Sequence, residues 1–349
     1  MPRYAWIAGL VLAAIAVGML VVFNASTTKM LRVFIWEEYI DPEVYRLFEQ
    51  EFGAKVVEDN YGSNEDMRAK LQAGGAGYDL IVPSDYAVTL LRKDGLLLPI
   101  DLSHIPNLKH LAARFRDPAY DPGHRYSVPY QWGITGIAYN RRLVDPPPGR
   151  WADLFDPAWI GPYTNRLSML NDMREVVGAA LVSLGYSPET ADPQHLARAL
   201  ARLQQQKPFV AKYDSESFED SLASGETVLA QGWSGEVAMA QSQNPDIAFA
   251  IPGEGTFVFV DNWAIPKGAQ QQELAEAFIN FVLRPEISAR IVNYARYASA
   301  NEAARSLVKP EILNGPSYVW PEGARLWWLS DLGDAGPLYE RVWLELKGR

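Results

Sequence analysis

Residues 256–266 read TFVFVDNWAIP and place a carboxylate directly after an apolar run. The residues from Thr256 to Val260 are apolar or β-branched, which predicts a strand that is buried on both faces and ends at Asp261. Because an unpaired buried carboxylate is costly to desolvate, Asp261 needs water, a cation or a hydrogen-bond donor. Phe259 lies two residues earlier on the same strand face, so the two residues are candidates for a cation site and its aromatic wall. The alternative is a strand-end aspartate that caps a turn.

The composition limits the class of protein. The chain has 349 residues, of which 48% are hydrophobic and 21% are charged, so it is long enough for two soluble α/β domains. The formal net charge of -10 disfavours nucleic acid as a partner, because an acidic surface repels phosphate. The chain contains no cysteine, which excludes disulfides, thiolate metal sites, a cysteine nucleophile and lipoprotein acylation.

The amino-terminal segment predicts export. Residues 6–23, WIAGLVLAAIAVGMLVVF, form an apolar run behind Arg3. This pattern is typical of a secretory signal peptide or an uncleaved signal-anchor, which we place within residues 1–29. We therefore predict a periplasmic protein that remains tethered to the membrane if the leader is not cleaved.

The first half of the chain predicts a parallel α/β unit whose strands end in polar and aromatic residues. The strand LRVFIW is followed by Glu37, Glu38 and Tyr39, and a helix is predicted to begin after Asp41. A later strand, YDLIVP, is followed by Ser84 and residues 85–86, Asp-Tyr. The order β-α-β-α-β predicts a doubly wound sheet with these strand ends along one edge.

The second half repeats this pattern around two further candidates. Asp172 and Glu175 lie on one face of a predicted first helical turn, where carboxylates are also stabilised simply as helix caps. Trp233 follows another predicted strand. We expect residues 30–135 and 264–315 to form a first domain and residues 136–263 a second, with residues 316–349 as packing helices. Two crossings between the domains predict a hinge and a central cleft.

Several catalytic chemistries lack their motifs. The chain has no phosphate loop and no dinucleotide fingerprint, and its four histidines form no pair at metal-binding spacing. We expect neither a cofactor nor a metal. Pairs of carboxylates with tryptophan platforms leave a glycoside hydrolase as the alternative enzyme.

An ordered set of motifs resembles the spermidine and putrescine receptors of bacterial ABC importers. The motifs are WEEYI, SNEDM, YDLIVPSDY, VPYQWG, DMREV, GWSGE, FVDNWAIP and NFVLRPE, and the resemblance covers about residues 31–304. It implies the two-domain periplasmic binding protein fold, with a hinge, and a polyamine ligand without catalysis. The residues that it places at the ligand are Trp36, Glu37, Glu38, Tyr39, Ser84, Tyr86, Asp172, Glu175, Trp233, Phe259, Asp261 and Tyr297.

The resemblance also has departures. Glu37 stands where the family usually has Thr or Ser, and Phe259 stands where spermidine receptors commonly have Trp. Near the tail, LWWLSD replaces a region in which those receptors offer a glutamine. We expect a monomer that delivers its ligand to an inner-membrane ABC permease, or alternatively a sensor that reports polyamine to a membrane signalling protein.

Overall fold

The computed structural model describes residues 29–74, 77–318 and 320–348. The predicted signal peptide or anchor lies outside these residues, apart from Lys29, and stays a prediction. In these three ranges, no helix is both long and apolar enough to cross a membrane.

The described strands join into one mixed sheet. They are β1 (Lys29–Ile35), β2 (Ala54–Asn60), β3 (Leu80–Ile81), β4 (Ser127–Asn140), β5 (Leu167–Met169), β6 (Val210–Tyr213), β7 (Leu229–Trp233), β8 (Ile247–Ala250), β9 (Thr256–Ala264), β10 (Ala298–Ser299) and β11 (Leu326–Trp328). Their order is β2-β1-β3-β9-β4-β7-β5-β6, while β8 and β10 pair with β4 and β11 pairs with β9.

Helices connect these strands. They are α1 (Pro42–Phe52), α2 (Asn64–Gln72), α3 (Asp85–Lys93), α4 (Pro157–Ile160), α5 (Met173–Ser183), α6 (Pro193–Gln206), α7 (Phe218–Ser224), α8 (Ser234–Gln243), α9 (Gln272–Val282), α10 (Pro285–Ala295), α11 (Pro310–Leu313) and α12 (Gly336–Lys347). The predicted start of α1 is confirmed, because the Asp41 carboxylate accepts from the Glu43 backbone N–H and Pro42 occupies the first helical position.

The first half contains the predicted parallel unit. β1 pairs in parallel with β2 on one side and with β3 on the other. Since β1 and β3 are neighbours, the segments that follow them, residues 36–39 and 84–86, lie along the same edge of the sheet. This arrangement brings the polar strand ends of the first half together.

Two long antiparallel strands join the halves of the chain. β4 pairs with β9 from Val128 opposite Trp263 to Thr135 opposite Phe257. The end of β4 then pairs with β7 and β8. β4 therefore connects the strands of the first half, which it reaches through β9, with the strands of the second half. The predicted crossings near residues 126–139 and 256–266 correspond to these two strands, whereas the exact domain limits stay a prediction.

The structure corrects two predictions, one about the end of β9 and one about residues 316–349. β9 does not end at Asp261 but continues to Ala264, because residues 262–264 still pair with β4 and Ala264 also pairs with Ile81. Asp261 is therefore an interior strand residue. Residues 316–349 are not only helices, since β11 pairs in parallel with the start of β9 and only α12 forms the packing helix. The sequence LWW of β11, with two aromatic residues, suits a strand, but its partner is distant in sequence.

Candidate functional site

All twelve residues predicted to bind a ligand line one cleft. They are Trp36, Glu37, Glu38, Tyr39, Ser84, Tyr86, Asp172, Glu175, Trp233, Phe259, Asp261 and Tyr297. The cleft contains about 890 Å³ free of protein atoms, part of it open to solvent. The structure thus brings the whole predicted set together, and its binding role stays a prediction.

The cleft is strongly acidic. Nine of its lining residues are carboxylates, namely Glu37, Glu38, Asp85, Asp172, Glu175, Glu216, Glu219, Glu236 and Asp261. Among the described residues, no lysine, arginine or histidine lines it. Five of them, Asp85, Asp172, Glu175, Glu219 and Asp261, are buried. Burying five carboxylates in a cleft without a cationic lining residue is costly, so the cleft is suited to a ligand that carries several positive charges.

Asp261 lies at the centre and is held by two uncharged donors. The Tyr39 hydroxyl donates to Asp261 Oδ2 at 2.5 Å, and the Ser84 hydroxyl donates to Oδ1 at 2.6 Å. Asn64 fixes Ser84 in turn, because its side-chain amide donates to the Ser84 hydroxyl oxygen at 3.0 Å. Burial raises the pKa of Asp261 to about 6, although the two hydroxyls oppose this shift.

A second acidic group comes from the start of α5. Asp172 caps this helix, since its Oδ1 accepts from the Glu175 backbone N–H at 3.0 Å, and both side chains also line the cleft. The capping and binding interpretations of Asp172 are therefore compatible. Thr135 donates to Glu175 Oε1 at 2.9 Å, while buried Glu175 Oε2 has no hydrogen-bond partner. Burial and the neighbouring Asp172 raise the pKa of Glu175 to about 8.

A third acidic group was missed by the sequence analysis. Its members are the buried Glu219 on α7 and the partly buried Glu236 on α8, and the Tyr297 hydroxyl donates to Glu236 Oε2. Burial, together with the charge of Glu219, raises the pKa of Glu236 well above its usual range. Glu236 follows Trp233 by three residues, a helical spacing that could have revealed it. No comparable signal marks Glu219.

Other lining residues also lay outside the prediction. They include Tyr61, Asn64, Asp85, Ser215, Met239 and Leu329. Leu329 comes from the tail segment LWWLSD, so this departure from the family pattern contributes an apolar side chain to the cleft. Burial raises the pKa of Asp85 well above its usual range, which favours its neutral form.

Aromatic rings form a nearly continuous wall between the acidic groups. The centroid distances are 6.3 Å for Trp36 and Trp233, 6.5 Å for Trp233 and Phe259, 6.1 Å for Phe259 and Tyr297, and 5.0 Å for Tyr297 and Tyr39. Such faces pack against methylene groups and attract cations. The wall therefore suits a chain in which apolar segments alternate with charges.

Known proteins share this architecture. The family model of the bacterial extracellular solute-binding proteins matches residues 43–316. The chain belongs to this family. A spermidine/putrescine-binding periplasmic protein of Salmonella typhimurium is 37% identical over 339 residues, covering 96% of both chains. A putrescine/cadaverine-binding protein of Pseudomonas aeruginosa is 34% identical, covering 93% of this chain and 96% of that protein.

Solved structures agree with this assignment. One from Listeria monocytogenes is 35% identical and covers 92% of this chain and 99% of its own, with a TM-score of 0.86. A lipoprotein of Treponema pallidum is 36% identical, with a TM-score of 0.79 and coverage of 92% and 100%. The periplasmic binding protein fold, the extracytoplasmic location and a binding rather than an enzymatic role are thereby confirmed.

The two halves of this solute-binding protein meet across the cleft. Trp36, which follows β1, contacts Trp233 at the end of β7, and Tyr297 reaches Glu236. The Arg174 guanidinium of α5 lies 5.0 Å from the ring of Tyr86 in α3. These contacts accompany a cleft in which the acidic groups of both halves face the same space.

The described residues also lack the arrangements of side chains that bind metal ions. Within residues 29–74, 77–318 and 320–348, no group of three or more His, Cys, Asp or Glu residues is arranged to hold a metal ion.

Proposed function

We propose that the chain is the polyamine receptor of an ABC importer. The observation that carries this proposal is the lining of the cleft, which combines nine carboxylates with no described cationic side chain. The relatives named for spermidine, putrescine or cadaverine binding support the same ligand class.

The shape of a polyamine explains why the acidic groups are separated by rings. Its ammonium groups are joined by short methylene segments, with about 6 Å between the two nitrogens of putrescine from standard bond lengths. Carboxylates at the ammonium positions form charge-assisted hydrogen bonds, which fix the position of each charge. Each ammonium that lies over a ring adds about 0.5 to 2 kcal/mol, and the methylenes pack on the remaining ring surface.

Closure of the halves would couple binding to transport. Tyr39 and Ser84, which hold Asp261, follow β1 and β3 in the first half of the chain, whereas Asp172 and Glu175 lie at the start of α5 in the second half. A ligand that contacts both groups binds the closed form more tightly than the open one, so it shifts the population toward closure. We infer that an inner-membrane permease recognises this closed monomer.

Isothermal titration calorimetry with matched ligands tests the proposal. We expect putrescine, cadaverine or spermidine to bind with micromolar or tighter affinity. The control is 1,4-butanediol, which keeps the four-carbon chain of putrescine but lacks its charges, and we expect it to produce no binding heat. Binding of a sugar in place of every polyamine, or equal binding of the diol and the diamine, would refute the proposed function.

A further inference from the structure

Glu219 is a buried carboxylate without a hydrogen-bond partner for one of its oxygens. Glu219 is only 5% exposed, and its buried Oε2 atom has no hydrogen-bond partner. The side chain lines the cleft. Leaving an acceptor of this kind unsatisfied is costly, so its presence in the cleft wall calls for a ligand.

The groups around Glu219 cannot neutralise it. Its electrostatic neighbours Glu38, Asp214 and Asp220 are all acidic, and Glu219 also acts on Glu236. Together with burial, these neighbours raise the pKa of Glu219 to about 7. Among the described residues, no ion pair to Glu219 is formed.

The nearby lysine already has partners. Lys212 Nζ lies 3.1 Å from Asp214 Oδ2 and 3.8 Å from Glu226 Oε2, and it also donates to the Ser221 hydroxyl. Lys212 is thus held by partners other than Glu219, and it does not line the cleft. A cation that reaches Glu219 has to come from the ligand.

A helix-terminus role does not explain the burial of Glu219. α7 has seven residues, and both Glu219 and Asp220 lie in its first turn. Asp220 is exposed, as expected for an acidic residue in that position, whereas Glu219 turns inward. Burial and an unpartnered oxygen together distinguish Glu219 from an ordinary surface charge.

The group formed by Glu219 and Glu236 has different contacts from the other two acidic groups. A chain of contacts runs from Asp261 to Tyr39, from Tyr39 to Tyr297 and from Tyr297 to Glu236. Glu219 and Glu236 instead act on each other electrostatically, whereas Glu175 accepts hydrogen bonds from Thr135 and Trp233. The cleft thus presents three acidic groups that differ in their hydrogen-bond partners.

We propose that Glu219 binds a third ammonium group, so that the cleft selects triamines over diamines. This inference rests on the proposed polyamine function and specifies the ligand within that class. A diamine reaches two of the three acidic groups and leaves one without a cation. A triamine such as spermidine supplies a charge to each group.

The test compares Glu219→Gln with a matched control in calorimetric titrations of the full chain. The control is Glu226→Gln, which removes the same charge from a side chain that is 65% exposed and does not line the cleft. We expect Glu219→Gln to weaken spermidine binding about tenfold or more and to change putrescine and cadaverine binding by less than about threefold. Glu226→Gln should leave all three affinities within about twofold.

Thermal unfolding of the ligand-free variants provides a second measurement. Because Gln removes an unpartnered buried charge, Glu219→Gln should unfold at the same or a higher temperature than the parent chain. Equal losses for diamines and triamine, no loss for spermidine, or a lower unfolding temperature together with general loss would overturn the inference. In those cases binding of polyamines by the parent chain still supports the proposed function, whereas a parent chain that binds none would refute both.

Discussion

The carboxylates of Asp261 and Glu175 are both buried in the cleft, yet they are prepared differently for a cation. Each Asp261 oxygen already accepts a hydroxyl hydrogen bond, and its pKa of about 6 leaves it mostly ionised at neutral pH. Glu175 has one satisfied oxygen and one orphan oxygen beside Asp172, and its pKa of about 8 leaves it mostly protonated.

This difference separates two ways of building an ammonium site. Asp261 is preorganised, because its carboxylate is already ionised. An ammonium group can bind it without first displacing a proton. At pH 7, deprotonating a group with the pKa of Glu175 costs on the order of 1 kcal/mol, which reduces its net contribution to binding. We therefore expect Asp261 to dominate affinity and Glu175 to dominate the pH dependence of binding.

The largest expected effect is that of Asp261→Asn. The substitution removes the central charge and turns an amide N–H₂ toward either the Tyr39 or the Ser84 hydroxyl, so we expect affinity for polyamine to fall about 30-fold or more, which is about 2 kcal/mol. Calorimetry at pH 7.5 measures the change. Asp246→Asn is the control, because Asp246 pairs with Arg142 outside the cleft lining. An unchanged affinity in Asp261→Asn would place the main cation site elsewhere.

A smaller loss is expected for Glu175→Gln. The Gln side chain keeps an acceptor for Thr135 but offers no charge. The loss of the ion pair is partly offset, because the variant avoids the free-energy cost of deprotonating Glu175 on binding. We expect affinity to fall about tenfold at pH 7, less than for Asp261→Asn. Titrations of both variants beside Glu226→Gln test this ranking. A greater loss in Glu175→Gln would reverse the comparison drawn above.

The sequence predicted which residues meet in the cleft more completely than it predicted their local structure. Strand ends rich in aromatic and acidic residues, combined with an ordered set of family motifs, identified all twelve predicted members of the lining. The interior position of Asp261 was missed, because residues 262–264 continue the strand only through pairing with distant β3 and β4. Such pairing leaves no local pattern in the chain.

Glu219 and Glu236 were missed for different reasons. Glu236 lies one helical turn after Trp233, so its position could have been derived from the predicted strand end. Glu219 belongs to the string SFED, which reads as an ordinary acidic helix start. Its inward orientation follows from packing of α7 against α8 and β7, which no property of those four residues specifies.

The next effect concerns the pH dependence of binding. A bound ammonium favours the ionised form of Glu175, so its pKa falls on binding and the complex holds fewer protons than the free protein. Affinity should therefore rise with pH, by roughly fivefold between pH 7 and 8 for this group alone, until the amines lose their own protons near pH 10. Calorimetry in buffers of different ionisation enthalpy should detect a released proton at pH 7.

The outcome in Glu175→Gln decides which group supplies that proton. If Glu175 is the source, the variant should show less proton release and a flatter rise in affinity between pH 7 and 8. Proton release that is identical in the parent chain and in the variant would assign it to Glu219, whose pKa is raised to about 7, or to another carboxylate of the cleft.

The smallest expected effect is on the stability of the ligand-free protein. A carboxyl group whose pKa is higher in the folded than in the unfolded state stabilises the fold fully below its unfolded pKa, and this contribution is lost as pH rises through the folded value. For Glu175 that window runs from its usual 4.5 to about 8. We expect the parent chain to unfold a few degrees lower at pH 8 than at pH 5.5, about 2 °C for each kcal/mol lost. Glu175→Gln should reduce this difference, as should saturating polyamine in the parent chain; a variant with the same pH dependence as its parent would show that Glu175 does not carry the proton assigned to it.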